Sequence, residues 1–268
     1  MVPDIPPARG DRIGPGPEVP KVVVATRLTQ RFGTNTVFED VSFDVREGEV
    51  FVILGGSGCG KSTLLKLLIG LRRPTAGAIS VLGEDLIAAR GAARRRLLQR
   101  FGVMFQLGAL FGSMTLLENV LLPLESFTDL PEEARVSIAR AKLGMVGLGD
   151  ATQKLPSEIS GGMVKRAAIA RAMALDPPLL FLDEPSAGLD PITSAGLDQL
   201  ILTLARDLGV TFVIVTHELD SILTVADRVI MLDKAARGMI ATGDPRELRA
   251  TSTQPTVRAF FNRIAEAA

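Results

Sequence analysis

One short motif constrains the fold of this chain more than any other feature. Residues 49–54 form an apolar run typical of a buried strand, and residues 62–71 have the apolar spacing of a helix. Between them, residues 55–62 match the pattern G-x-x-x-x-G-K-[ST]. The N–H groups of such a loop face a phosphate, and the following helix points its positive dipole end at the same place. The sequence therefore predicts a strand, a phosphate-binding loop and a helix.

The patterns around this unit predict an α/β fold. Strand-like runs come first, at residues 22–25, 36–38 and 41–45, and predict an N-terminal antiparallel β portion. Runs at 179–182 and 210–215 enclose a helical pattern at about 192–208, which predicts a βαβ unit and a parallel sheet. Residues 84–175 look mostly helical, with an inserted helical subdomain at about 107–160.

Composition excludes several other classes of protein. The chain is 47% hydrophobic and 22% charged, with a formal net charge of +0, so neither bulk disorder nor an overall basic field is expected. Residues 1–20 hold six of the sixteen prolines and predict a disordered tail. The single cysteine allows no intramolecular disulfide, no signal peptide is apparent, and no apolar run approaches the ~18 residues of a membrane span. We expect a cytosolic chain.

The phosphate-binding loop supplies most of the predicted contacts to a ligand. Lys61 adds a mobile cation, and Ser62 offers a hydroxyl to Mg²⁺. Cys59 sits inside the loop; it is either oxidation-sensitive or, as we prefer, a small residue that fills the loop. The predicted ligand-binding residues of this region are Gly55, Gly56, Ser57, Gly58, Cys59, Gly60, Lys61, Ser62 and Thr63.

Two further predicted strands end in polar side chains. Asp183 and Glu184 follow residues 179–182, and His217, the only histidine, follows residues 210–215. Ligands bind at the carboxyl edge of parallel sheets, so these side chains are expected near the phosphate loop. Asp183 suits the second shell of a metal, Glu184 suits a base that activates water, and His217 suits a hydrogen bond to a phosphate or to that water.

A second glycine motif opens a later helix. Ser160, Gly161 and Gly162 precede the helical sequence 163–175, so a second helix N-terminus is available to an anion. Two such ends, about 100 residues apart, indicate either two sites or one site shared between chains.

With these motifs in this order, the chain resembles the ATP-binding-cassette (ABC) ATPases over about residues 21–245. The resemblance implies a domain at 21–250 that binds ATP and Mg²⁺, with Glu184 and His217 catalytic and with Ser62, Gln106 and Asp183 near the metal. It also implies that two copies pack head to tail, with the signature of one chain closing over the ATP of the other. By the same resemblance Phe32 stacks on adenine, Gln106 centres the glutamine loop, residues 160–162 form the signature, and Asp190 belongs to the D-loop.

Two departures from the family pattern narrow the resemblance. The signature ends in Met163 where glutamine is usual, and Phe32 stands where tyrosine is usual. A methionine ending occurs in the Mla/Mce-associated ATPases, which energise lipid traffic between bacterial membranes, and residues 105–120 and 255–263 are similar to that subgroup. The resemblance implies a cytosolic subunit, peripheral on the cytoplasmic face of the bacterial inner membrane, that energises phospholipid transport. Its implied partners are a second copy, a membrane permease and, further, a solute-binding subunit and a small regulatory protein.

Three alternatives stay open at this point. A soluble ABC ATPase acting on DNA or ribosomes is disfavoured, because the chain has one cassette and too few residues between Ser62 and Ser160 for a coiled-coil arm. An importer of another cargo is possible, since cargo is recognised by other subunits. The arginine-rich stretch 90–100 is expected to be a solvated helix face rather than a nucleic-acid patch.

The C-terminal extension, residues 251–268, is predicted to be helical. Val257, Phe260, Phe261 and Ile264 fall at spacings of three and four, so one face of the helix is apolar. This face is expected to pack on the body of the chain, with docking on a second copy or on a regulatory partner as the alternative.

Overall fold

The computed structural model describes residues 19–263, so most of the predicted tail and the last five residues lie outside the described part of the chain. The strands are β1 (Lys21–Phe32), β2 (Asn35–Arg46), β3 (Val50–Gly55), β4 (Ala76–Val81), β5 (Glu84–Asp85), β6 (Phe101–Met104), β7 (Leu179–Asp183), β8 (Thr211–Val215), β9 (Arg228–Asp233) and β10 (Gly238–Gly243). The helices are α1 (Lys61–Leu68), α2 (Gly91–Gln99), α3 (Leu116–Phe127), α4 (Glu132–Met145), α5 (Gly161–Ala172), α6 (Pro191–Leu208), α7 (Leu219–Val225), α8 (Pro245–Thr251) and α9 (Pro255–Asn262).

A six-stranded sheet forms the centre of the fold. Its order is β10-β9-β3-β8-β7-β6, and every pair except β9–β10 is parallel. The residues of β3 and β8 are buried throughout, which explains why these strands are continuous apolar runs without alternation. The predicted parallel sheet and α/β fold are confirmed.

A separate four-stranded antiparallel sheet, β2-β1-β4-β5, covers one face of the central sheet. Neighbouring residues of β3 contribute to different cores. Val52 and Leu54 belong to the cluster shared with α3 to α9, whereas Phe51 and Ile53 belong to the cluster shared with α1 and the antiparallel sheet. Because side chains alternate along a strand, one apolar run fills both cores.

The expectation that residues 84–175 are mostly helical was wrong for residues 101–104. These form β6, which pairs with β7 at the edge of the central sheet. A strand of four residues is too short for its periodicity to stand out between two helical patterns. Gly102 fits there because a Cβ atom would collide with the backbone oxygen of Ala172.

Helices α3 and α4 and two short 3₁₀ turns, Gly149–Ala151 and Pro156–Glu158, occupy the region of the predicted subdomain. A capping box starts α3: Thr115 Oγ1 accepts from Glu118 N–H (3.2 Å), while Glu118 Oε2 accepts from Thr115 N–H (2.6 Å). The limits 107–160 stay a prediction. Within the described residues, no helix is long and apolar enough to cross a membrane.

The C-terminal extension begins at the last residue of α8 and contains α9 in its described part. Val257 and Phe261 of α9 are fully buried in the larger core, and Phe260 packs against them. The apolar face of this helix therefore packs on the chain's own body, as expected; Ile264 lies outside the described residues.

Candidate nucleotide-binding and hydrolysis site

Three neighbouring strands, β3, β8 and β7, bring the predicted site together at their carboxyl ends. The phosphate loop follows β3, Glu184 follows β7, and His217 follows β8. The backbone fixes their relative positions, because Glu184 N–H donates to Val215 O (2.8 Å) and Thr216 N–H donates to Ile53 O (3.3 Å). The sheet thus places one loop, one carboxylate and one imidazole at a common edge.

The phosphate loop is shaped by two crowded glycines. A Cβ atom on Gly55 (φ +147°) would meet Leu232 O and Cys59 Sγ, and one on Gly60 (φ +106°) would lie 2.7 Å from Val37 Cγ1. Only glycine fits both the space and the positive φ. In the described part of the chain, no side chain caps the N-terminus of α1. Its first amide groups are therefore suited to an anionic ligand.

The polar side chains of the loop differ in exposure. Lys61 Nζ donates to the carbonyls of Gly55 (2.7 Å) and Gly56 (3.1 Å), so the ammonium lies over the loop. Ser62 is exposed and Thr63 half-buried. Cys59 is 1% exposed, and burial raises the pKa of its thiol. A thiol with a raised pKa is a poor nucleophile, which favours the space-filling interpretation of Cys59.

Asp183 closes β7 beside the loop. Burial, and then the charge of Glu184, raise the pKa of Asp183 above its ordinary value. A half-buried carboxyl of this kind is stabilised in its charged form by a nearby cation. Among the described residues, no group of three or more His, Cys, Asp or Glu side chains could hold a metal. The exposed hydroxyl of Ser62 and the half-buried carboxyl of Asp183 suit Mg²⁺, and its binding near Ser62, Gln106 and Asp183, with phosphate and water completing the shell, stays a prediction.

Glu184, the predicted general base, has an uncommon backbone conformation and a contact with His217. Its backbone has φ +47°, an uncommon value for a non-glycine residue, and its Oε1 lies 2.8 Å from His217 Nδ1. Within residues 19–263, the buried Glu184 Oε2 and the nearby Ser186 Oγ have no hydrogen-bond partner. A buried acceptor without a partner is costly, so the pocket is suited to a bound donor such as water.

The sequence that forms this site matches a known protein family. Residues 38–187 match the family described as ABC transporter. The chain belongs to the ABC transporter family. It carries the ATP-hydrolysing cassette of that family, and the expected ABC-ATPase fold is confirmed.

Among ABC relatives, the "Probable ribonucleotide transport ATP-binding protein mkl" of Mycobacterium leprae is 46% identical over 88% of this chain and 67% of that protein. The Mycobacterium tuberculosis protein of that name is 45% identical, over 65% of its own length. The chain thus spans about two-thirds of these relatives. The "Intermembrane phospholipid transport system ATP-binding protein MlaF" of Escherichia coli K12 is 41% identical over 87% of this chain and 86% of that protein.

Two solved ABC structures share the fold. The dimeric cassette MJ0796, solved in a post-hydrolysis state with ADP and phosphate, is 30% identical with a TM-score of 0.74 and covers 83% of this chain and 98% of its own. The cassette cbiO1 from Clostridium perfringens, described as part of the transporter complex cbiONQ, is 28% identical with a TM-score of 0.78, over 86% and 91%.

The predicted signature of this ABC ATPase forms the start of α5. Ser160 caps the helix, since its Oγ accepts from Met163 N–H (3.3 Å). Gly161 is exposed, whereas Gly162 is buried against Thr193 of α6, with no room for a Cβ atom. Met163 packs on the larger core, so an apolar side chain replaces the usual polar one without leaving a polar group unpaired. Ser160 and Gly161, at the start of α5, are exposed to a ligand from outside the chain.

The D-loop and adenine-stacking positions have local structural contacts as well. Asp190 caps α6 by accepting from Ile192 N–H (3.1 Å) and Thr193 N–H (3.0 Å), and the bonds from Thr193 lower the pKa of Asp190. Its nucleotide contact stays a prediction.

Phe32 ends β1, is 40% exposed, and has Arg72 Cζ 4.6 Å from its ring centroid. One aromatic face is thus covered by a guanidinium.

Gln106 follows β6 and has an exposed side chain. Its backbone carbonyl accepts a hydrogen bond from Lys165, a buried residue that sequence reasoning missed. Lys165 lies two residues after Met163, within the apolar pattern of α5, and nothing in that pattern marks a lysine as internal. Ser186 begins the segment 186–190 that resembles the D-loop, but the sequence did not indicate its burial, since a serine after a strand is ordinarily a solvated turn residue.

Proposed function

We propose that this chain is the ATP-hydrolysing subunit of an ABC transporter that moves phospholipid between bacterial membranes. The observation that carries the hydrolysis is Glu184: its Oε1 contacts His217, and its buried Oε2 is left for the attacking water. Lys61, Ser62 and the loop amides hold the phosphates, while Mg²⁺, with Ser62, Gln106 and Asp183 near it, neutralises charge on them. His217 then orients the terminal phosphate or the water.

The site acts as half of a pair. The signature at the start of α5, whose Ser160 and Gly161 are exposed, closes over the ATP of a second copy packed head to tail. MJ0796 supports this arrangement, since that cassette is dimeric. Glu184→Gln is expected to bind ATP without turnover and to accumulate as a dimer in size-exclusion chromatography with ATP. A monomer under these conditions would contradict the shared site.

A membrane permease is the second partner. An apolar groove of about 470 Å³ lies between α2, β6, the end of α3 and α5, with Leu98, Phe101, Phe127 and Leu175 in its wall. Leu107 and Phe111, just after Gln106, are 86% and 51% exposed. Exposed apolar surface of this kind marks an interaction site. The chain then works on the cytoplasmic face of the inner membrane, with a solute-binding subunit and a small regulatory protein as further partners.

The most specific part of the proposal is the substance that is transported. MlaF relatives and the methionine of the signature support phospholipid, whereas the mkl relatives carry a name for ribonucleotide transport. Purification from native membranes in mild detergent, followed by mass spectrometry, distinguishes these cargoes. A multi-spanning subunit with co-purifying phospholipid supports the proposal. A permease with bound nucleotide cargo, or nucleic acid and ribosomal proteins without a permease, contradicts it.

A further inference from the structure

Lys165 of α5 is a charged residue type among buried side chains. It lies in the second turn of α5 with 5% of its surface exposed. Burying an ammonium group is unfavourable unless hydrogen bonds and opposite charges replace water. The surroundings of Lys165 therefore indicate what it does.

Its contacts join two loops of the site. Lys165 Nζ donates to the backbone carbonyl of Gln106 and to that of Glu184 (3.2 Å). Gln106 follows β6 and Glu184 follows β7, so one side chain on α5 fastens the ends of two strands. No other described side chain donates to these two carbonyls.

Two opposing effects act on the charge of Lys165. Burial is the larger and lowers the pKa of Lys165 below its ordinary value, while the charges of Asp183 and Glu184 oppose this shift. The ammonium thus lies close enough to both carboxylates to stabilise them, although its hydrogen bonds go to carbonyls. In contrast Lys142, also 5% exposed, forms an ion pair with Asp176, away from the site.

The backbone at Glu184 needs such support. A φ of +47° is unfavourable for a glutamate, and the conformation persists only where surrounding contacts fix it. Three contacts do so here: Glu184 N–H donates to Val215 O, and Glu184 O accepts from Ala187 N–H (3.3 Å) and from Lys165 Nζ. Removing Lys165 leaves the two backbone contacts but removes the one that ties Glu184 to α5.

The position of Lys165 on α5 links it to the other half of a dimer. The first turn of the same helix is the signature, which lies about one turn from Lys165, and a helix transmits a shift of one turn to the next. A displacement of Ser160 to Gly162 therefore moves the ammonium that holds Gln106 and Glu184. The link runs along the backbone of α5 from the signature to Lys165, and from Lys165 Nζ to the backbone carbonyls of Gln106 and Glu184.

We propose that Lys165 is a positioning residue that couples the signature of its chain to the catalytic Glu184 and to Gln106 of the same chain. When the signature engages nucleotide held by a second copy, α5 adjusts the two carbonyls and so sets the geometry of its own hydrolytic site. The inference rests on the shared dimer site proposed above. It assigns to one side chain the communication between two nucleotide sites.

Lys165→Met tests this role, with Lys142→Met as the matched control. Lys165→Met is expected to lower kcat by roughly 10- to 100-fold, since a shift of about 1 Å at a reacting group has an effect of that size. ATP affinity, measured by equilibrium binding, stays within about threefold, and the Hill coefficient for ATP falls towards about 1 from a higher wild-type value.

Lys165→Arg, which keeps the charge and the donors, restores kcat to within about fivefold of the wild type. Lys142→Met lowers the thermal midpoint but leaves kcat and the Hill coefficient unchanged.

Several results would overturn the inference: wild-type kcat in Lys165→Met, an unchanged Hill coefficient, or equal loss of kcat in the control. If Lys165→Met fails to fold, Lys165→Gln, which keeps one N–H donor, is expected to show the same fall in kcat at unchanged ATP affinity, and wild-type kcat in it overturns the inference. Failure of the proposed function is distinguishable, because then the wild type shows no ATPase activity or Glu184→Gln forms no dimer with ATP.

Discussion

The two edges of the central sheet hold carboxylates that are equally buried but differently satisfied. At the amino edge, Glu49 is 8% exposed and accepts from Arg228 Nε (2.7 Å) and Nη2 (3.0 Å) and from Arg46 N–H (2.8 Å). At the carboxyl edge, Glu184 is 9% exposed, and its Oε2 has no partner among the described residues. Burial alone therefore does not indicate a reactive carboxylate. What distinguishes Glu184 from Glu49 is an unpaired oxygen at the edge that carries the phosphate loop, since it leaves a buried acceptor there for a reactant.

The largest expected effect is at the carboxyl edge. Glu184→Gln is expected to lower kcat by about 1,000-fold, because general-base catalysis contributes roughly 10²- to 10⁴-fold and an amide cannot accept the proton. The thermal midpoint is expected to stay level or rise, since the buried charge is removed. The exposed neighbour of His217, Glu218, provides a control: Glu218→Gln keeps wild-type turnover. Turnover of Glu184→Gln near the wild-type rate would remove Glu184 from the mechanism.

The corresponding change at the amino edge is expected to affect stability and spare turnover. Glu49→Gln leaves the half-buried Arg228 with Asp44 as its remaining carboxylate, at 3.3 Å. Loss of a buried charge partner of this kind lowers the free energy of unfolding by about 2–3 kcal/mol. Urea titration measures this loss, and kcat below the unfolding transition is expected to match the wild type. A variant that keeps its stability but loses turnover would reverse the roles of the two edges.

A third buried carboxylate, Asp198, lies on α6 rather than at either edge of the central sheet. Asp198 of α6 is 5% exposed, and burial raises its pKa from 3.8 to about 6, although a hydrogen bond with Ser221 of α7 opposes the rise. Because the folded-state pKa is the higher one, this group stabilises the fold below pH ~4, and that stabilisation is lost as the pH rises from about 4 to about 6. Above pH 6 the charged Asp198 destabilises the fold.

Asp198→Asn removes this pH dependence. At pH 8 the variant is expected to be more stable than the wild type by about 1–3 kcal/mol, and the difference shrinks as the pH approaches about 4. Thermal unfolding of both proteins across this pH range measures it. A difference that is independent of pH would mean that Asp198 keeps an ordinary pKa in the folded chain.

The smallest expected effect is at the signature. The side chain of Met163 packs on the core, so Met163→Gln is expected to keep ATPase activity within about threefold and to cost about 1 kcal/mol of stability. Steady-state ATPase assays and thermal unfolding check both values. Complete loss of activity would show that the methionine makes a required contact with nucleotide or partner.

Local patterns predicted the parts of this protein that depend on neighbouring residues. The glycine loop, the buried strands β3, β7 and β8, and α6 after Asp190 all follow from periodicity and spacing. Ordered strands of a parallel sheet also bring their carboxyl ends together, so the proximity of the loop, Glu184 and His217 was predictable. The short strand β6 was not, because pairing with β7 stabilises four residues that show no period of their own.

The sequence by itself determined which residues are available for nucleotide chemistry, since the phosphate loop, the acids after β7 and the lone His217 are recognisable by type and spacing. Only the tertiary structure decided which polar atoms are buried, paired or left free. Lys165 joins Gln106 to Glu184 because α5 packs against the ends of β6 and β7, and Glu184 Oε2 lacks a partner because the sheet buries it. Both depend on contacts between distant residues, and the free energy of a buried charge depends on those contacts.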